Sequence, residues 1–295
     1  MKIAITGATG FIGTELISSL SSSAHEIFGL TRKKEVLNQN INYHKVNWII
    51  TDYSLESLYE VLKGMDIVIH LAAVRGTEGL ITDYHINEII TQNLLESCVK
   101  NNIKNFVFIS SIAVYSEISK IPWKESESAL PKTMYGISKL SCEALCFWYA
   151  RNYDLKVKCL RLAQVLGMGE HGGMMKKFIT QAINKERLIV MGESIAVREY
   201  VYIKDVVKAI RLAMNYHKSG LFNIGTGRAY SNLEIATLIN KVFDNNNNLE
   251  YRDTIKETIE SSLMDNSKAN YFLNYYPTYT LESALLDIKK QEISG

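Results

Sequence analysis

Tyr135 and Lys139 stand four residues apart in MYGISK (134–139), a spacing that puts both on one helix face, one turn from each other. A phenol alone is a poor acid–base group near neutral pH, but an ammonium one turn away favours the phenolate and suits it to proton exchange with a carbinol. Upstream, NFVFISSIAVYS carries Ser110 and Ser111 at the end of an apolar run. A serine there sits at the carboxyl edge of a sheet, where open α/β folds bind ligands, and Ser111 is expected to hydrogen-bond the reacting oxygen and share its proton with Tyr135. A third motif, TGATGFIG (6–13), places glycines at 7, 10 and 13 around Phe11 and Ile12. Gly7 allows a tight turn, Gly10 lets backbone approach a pyrophosphate, and Gly13 lets a helix pack on its strand. The pyrophosphate of a nicotinamide dinucleotide would rest on the open N–H groups of that helix.

The elements that must position these residues follow from periodicity. Apolar runs at Lys2–Thr6, Glu26–Thr31, Asp66–Val74, Asn105–Ser110 and Leu155–Leu162 read as buried strands. Helical spacing falls between them at Gly13–Leu20, Ser54–Lys63, Ile86–Lys100 and Met134–Tyr153. This alternation predicts an α/β chain with a Rossmann-type, doubly wound parallel sheet over residues 1–166. Residues 167–295 are expected to form a smaller α/β substrate-binding lobe, with part of 199–227 returning to the sheet.

The 295 residues carry a net charge of +2 and 47% hydrophobic residues, the balance of an ordinary folded chain without the basic excess of a nucleic-acid binder. No apolar stretch is long enough to span a membrane, and MKIAIT runs directly into the glycine turn without a signal-peptide pattern, so a cytoplasmic protein is expected. Cys142 and Cys146 lie one turn apart but without a nearby histidine, and the six histidines show no H-x-x-x-H spacing, so no metal site is expected.

These motifs occur together and in order with HLAAV (70–74), YHINEIITQNLLESC (84–98), VREYVYIKDV (197–206) and FNIGTG (222–227). In this the chain resembles the extended short-chain dehydrogenase/reductases of the sugar-nucleotide epimerase/dehydratase family. The resemblance implies a catalytic set of Ser111, Tyr135 and Lys139, the last also holding the nicotinamide ribose. It implies cofactor contacts from the glycine loop, from Asp52 and Tyr53 at the adenine, from Leu71, Ala72 and Ala73 beneath the ribose, and from Leu162. Gln164 stands where the family usually has Asn near the substrate phosphate, and Arg198 matches the arginine on the substrate diphosphate. The competing role for Arg198 is a surface ion pair with Glu199. The family's R-P-x-N and G-P-G turns are replaced by Arg161-Leu162-Ala163-Gln164 and Gly167-Met168-Gly169. A homodimer through the 86–100 and Tyr–Lys helices is also implied.

Within the family, dehydratases and decarboxylases add carboxylates just after the catalytic Ser or Thr; here Ile112 and Ala113 follow Ser111. That leaves hydride transfer at one sugar carbon, expected to be carbon 4, in either of two forms. One is reduction of a 4-keto-6-deoxyhexose nucleotide by NADPH, as in surface-polysaccharide precursor synthesis. The other is 4-epimerisation of a UDP-sugar with retained NAD. The second strand ends in Thr31-Arg32 rather than in an acid, so a 2′-phosphate meets attraction, which tilts the expectation to NADP and the ketoreductase. A third possibility, a dinucleotide sensor without turnover, has no need of the Ser–Tyr–Lys set.

Overall fold

A computed structural model describes residues 1–37, 46–76, 78–115, 120–170, 172–253 and 260–294. His44, Ser116 and His171 lie outside the described residues. Along the chain run β1 (Lys2–Thr6), α1 (Phe11–Leu20), β2 (Glu26–Thr31), β3 (Val46–Ile50), α2 (Leu55–Val61), β4 (Ile67–His70), α3 (Ile81–Lys100), β5 (Asn105–Ser111), α4 (Met134–Asn152) and β6 (Lys156–Leu162). There follow β7 (Gln164–Leu166), α5 (Gly173–Ile183), β8 (Leu188–Met191), β9 (Val197–Tyr202), α6 (Ile203–Met214), β10 (Gly220–Ile224), β11 (Ala229–Ser231), α7 (Asn232–Val242), β12 (Leu249–Arg252), α8 (Ser267–Leu273) and α9 (Leu281–Ser294).

Seven strands form one parallel sheet in the order β10-β6-β5-β4-β1-β2-β3. This is the doubly wound, Rossmann-type arrangement, with the order reversing between β1 and β4. Alternate residues of each central strand enter different cores, as a strand's period of two requires. Ile3, Ile5, Val107, Ile109 and Leu160 join one apolar cluster, whereas Ala4, Val68, Phe106, Phe108 and Val157 join the other. The C-terminal half contributes two small sheets, β11-β9-β7 and β12-β8, around a third cluster that includes Phe178, Val190 and Ile235. Among the described residues no helix is long and apolar enough to cross a membrane.

Three elements differ from the periodicity. The strand expected over Asp66–Val74 ends at His70, because the next N–H groups leave the ladder for side chains: Leu71 and Ala72 donate to Thr6 Oγ1, and Val74 to Asn87 Oδ1. Helix α3 begins at Ile81, five residues before the apolar pattern, where Asp83 accepts from the Leu80 N–H at 2.8 Å. Strand β3 has no sequence reading of its own; it is a short edge strand paired along β2.

Candidate active site

The glycine loop is built as a cradle. Gly7 has φ +66°, and a Cβ there would lie 2.8 Å from the Ala72 nitrogen. The Gly10 N–H donates to the Gly7 carbonyl at 2.9 Å, closing the turn. A Cβ on Gly13 would meet that same carbonyl at 2.2 Å, so only glycine lets α1 approach the loop. Helix α1 starts at Gly10 with no side-chain cap and no acid in its first turn, which leaves its N-terminal dipole open to an anion.

In front of this loop lies a cleft of about 320 Å³. Of the residues expected to hold a dinucleotide, Gly7, Gly10, Phe11, Ile12 and Gly13 line it from one side, and Thr31, Arg32 and Tyr53 from another. Leu71, Ala72 and Ala73 supply the wall beyond β4. Asp52, Tyr135, Lys139 and Leu162, also expected to contact the cofactor, do not line the cleft. Asp52 is exposed, and its carboxylate is held below the usual range by Ser54, whose N–H donates to it at 2.8 Å. Leu162 pairs with Ser111 across β5 and β6 and packs into the core. Tyr53 is less a free ring than a fixed wall. Its φ is +65°, its hydroxyl donates to the Leu30 carbonyl at 2.9 Å, and burial pushes its pKa up to about 12.

A buried chain of hydrogen bonds fixes the strand-end residues. Thr6 Oγ1 accepts from the N–H groups of Leu71 (3.2 Å) and Ala72 (3.1 Å), so its own proton goes to His70 Nδ1, 2.7 Å away. His70 is then the Nε2–H tautomer and donates to Thr91 Oγ1 at 3.1 Å. Burial, with Lys139 nearby, pushes the His70 pKa down to about 3 and keeps the ring neutral. Asn87 clamps the following loop, accepting from the Val74 N–H and donating to both the Val74 carbonyl and Ser138 Oγ.

Ser111 ends β5, and Tyr135 and Lys139 lie in the first two turns of α4. Thr133 caps α4 by accepting from the Gly136 N–H at 3.0 Å. A Cβ on Gly136 would lie 2.5 Å from the Ala113 carbonyl, so this glycine lets the helix's first turn press on the loop after Ser111. Lys139 is 3% exposed; its Nζ donates to the Ile109 carbonyl at 2.7 Å and lies over the Phe108 and Tyr135 rings at 4.7 and 6.0 Å. The two serines divide their work. Ser110 donates to Glu143, which is paired with Arg161 at 2.6 Å in a nearly sealed ion pair. Ser111 accepts a 3.2 Å bond from the Ala113 N–H, and among the described residues its hydroxyl proton has no acceptor.

Beyond Ser111 a second cavity of about 270 Å³ is lined by Ile112, Ala113, Trp123, Gln164, Arg198 and residues 260–262. The structure thus brings Gln164 and Arg198 to one wall, although they lie on different strands, paired in β7 and β9. Arg198 does not pair with Glu199. The strand's alternation sends Glu199 into the interior, while Arg198 shares a face with Tyr200. The turns that lack the family's prolines are held by contacts: the Ala163 N–H donates to the Ile224 carbonyl, and Gly167 lies against Phe11 and Ile203.

Several lining residues carry no signal in the sequence. Arg75 joins the dinucleotide cleft, and Trp123 with Glu260, Ser261 and Ser262 joins the second cavity. The last three reach it through a single bridge, Arg198 to Ser262, which no local pattern announces. The four cysteines are buried and unpaired, and among the described residues no cluster of three metal-ligating side chains occurs.

The model of the NAD dependent epimerase/dehydratase family matches residues 3–225. A UDP-N-acetylglucosamine 4-epimerase from Bacillus cereus is similar with a TM-score of 0.91 and 38% identity, over 100% of this chain and 97% of that one. A UDP-glucuronic acid 4-epimerase from Bacillus cereus, solved in complex with NAD, matches with a TM-score of 0.84 and 28% identity over 99% of each chain. A putative UDP-glucose 4-epimerase of Methanocaldococcus jannaschii is 32% identical over 82% of this chain and 80% of its own length. With a glycine cradle, a Ser–Tyr–Lys edge and this continuous likeness, the chain belongs to the NAD dependent epimerase/dehydratase family.

Proposed function

We propose that this enzyme is a UDP-sugar 4-epimerase that retains NAD and inverts carbon 4 of a nucleotide-linked hexose. The observation that carries the chemistry is the wall after Ser111. Ile112 and Ala113 face the sugar cavity and supply no acid or base, so elimination and decarboxylation lack their second proton-transfer group. Glu260 also reaches the cavity, but its carboxylate is engaged by Lys132 at 2.5 Å and is exposed. The likeness to 4-epimerases then favours the epimerase over the NADPH-dependent ketoreductase to which Arg32 first pointed.

In this reading the glycine loop and α1 hold the pyrophosphate, and Leu71–Ala73 with Lys139 hold the ribose. When bound, the nicotinamide takes up and returns hydride at the sugar carbon. Tyr135 removes the 4-hydroxyl proton and gives it back after the sugar has turned over, while Ser111 hydrogen-bonds that oxygen. Arg198 and Gln164 hold the diphosphate so that the sugar alone can rotate. Residues after 166, as a lobe on the dinucleotide-binding part, supply Arg198 and residues 260–262 to this wall, and residues 112, 113, 123 and 164 supply the rest. Helices α3 and α4 expose Ile89, Ile137 and Trp148, a surface suited to a homodimer.

The ketoreductase remains the second reading, favoured by Arg32 and Lys33 in the cleft with no acid beside them. Incubation with UDP-N-acetylglucosamine or UDP-glucose, with no cofactor added, separates the two. Formation of the 4-epimer supports the proposal; NADPH consumption with a 4-keto sugar nucleotide and no epimer would replace it.

A further inference from the structure

Glu199 is fully buried and has no cationic partner among the described residues; instead it gathers backbone. Its Oε1 accepts from the N–H groups of Thr226 and Gly227, both at 2.7 Å, and its Oε2 from the Met264 N–H at 2.9 Å. The first two belong to the turn after β10, the third to the segment that brings Ser261 and Ser262 to the substrate cavity. That segment also pairs with β9 directly, the Ser262 N–H donating to Val197 and the Glu199 N–H to Ser262. A carboxylate offers two oxygens with about four acceptor sites and no donor, so it can take three N–H groups from two segments at once. An amide would turn a donor toward one of them.

We propose that Glu199 is the positioning residue of the substrate cavity: by tying the 226–227 turn and the 262–264 segment to β9, it fixes the neighbouring Arg198 on the wall it shares with Gln164 and Ser262. This rests on the reading of that cavity as the sugar-nucleotide site. The motif FNIGTG carries the matching feature, since a Cβ on Gly225 would stand 2.2 Å from Glu199 Oε1. Gly225 is therefore bare so that the carboxylate can enter. A brace of this kind acts on the substrate through Arg198 and leaves the dinucleotide cleft, walled by other segments, alone.

The test is calorimetric binding of UDP and of NAD to the full-length protein and to Glu199→Gln, Gly225→Ala, Arg198→Ala and the double variant Glu199→Gln/Arg198→Ala. Glu199→Gln is expected to weaken UDP about tenfold and to leave NAD within about twofold. Gly225→Ala should move the same way, because its methyl displaces the same oxygen. The double variant should bind UDP no more weakly than Arg198→Ala, since both changes act through one contact. A folded Glu199→Gln with unchanged UDP affinity, or additive losses in the double variant, overturns the proposal. Loss of fold in both Glu199→Gln and Gly225→Ala overturns it too, by making the carboxylate a part of the core alone. A parent that binds no UDP, or an Arg198→Ala that binds it unchanged, sinks the reading of the cavity first and this proposal with it.

Discussion

The dinucleotide cleft and the substrate cavity share no lining residue, and they are made differently. The cleft is built round backbone that admits no Cβ at Gly7 and Gly13, with an uncapped helix end and a strand end held by Thr6 and Asn87. The cavity is side chains from four separate stretches, Ile112–Ala113, Trp123, Gln164 and Arg198, with 260–262 added. A backbone site tolerates change only where a Cβ fits, whereas a side-chain site can be altered residue by residue. In the proposed reading, one surface serves a common cofactor and the other sets substrate choice.

The largest effect is expected in the Ser–Tyr–Lys set. Tyr135→Phe should leave dinucleotide binding intact and lower turnover by about two to four orders of magnitude. Turnover within a few-fold of the parent would remove Tyr135 from proton transfer. On the substrate side alone, Arg198→Ala should raise the substrate KM about ten- to a hundredfold with the NAD affinity unchanged, because a charge-assisted diphosphate contact is lost. Equal losses for both ligands, read by titration, would dissolve the distinction between the two regions.

On the cofactor side, Arg32→Ala should weaken NADP about tenfold and leave NAD within about twofold, since only the 2′-phosphate meets that guanidinium. Parallel losses for both dinucleotides would mean that Arg32 contacts their shared part. The last effect is on stability and concerns the buried end of β4 behind the cleft. His70 has a folded pKa of about 3, below the ordinary 6.5, so the unfolded chain takes up its proton first as pH falls. Its contribution to stability is complete above pH 6.5 and is lost as pH falls toward 3, by as much as about 1.4 kcal/mol per pH unit. Denaturant melts at pH 7 and pH 5 should show this slope in the parent and a shallower one in His70→Gln. Equal slopes would place the acid sensitivity elsewhere.

The same contrast explains what could be read from residues in order. The glycine cradle, Ser111 and the Tyr135–Lys139 turn are local patterns, each set by one strand end or one helix turn, and the parallel sheet follows from alternating apolar runs. The cavity wall is not local. Ser262 reaches Arg198 through one bridge between distant segments, and no spacing encodes it. Arg198 and Glu199, adjacent and opposite in charge, invited an ion pair that the strand's alternation forbids. Arg32 differs in another way: its charge describes what the cleft attracts, whereas the choice between epimerisation and net reduction depends on whether the cofactor stays.

That choice is tested most directly by denaturing the freshly purified protein, with no nucleotide added, and identifying what it releases. A retaining 4-epimerase should release NAD at close to one equivalent per chain. Protein that releases nothing, and that then binds NADPH in preference to NAD, would contradict the proposal and restore the ketoreductase.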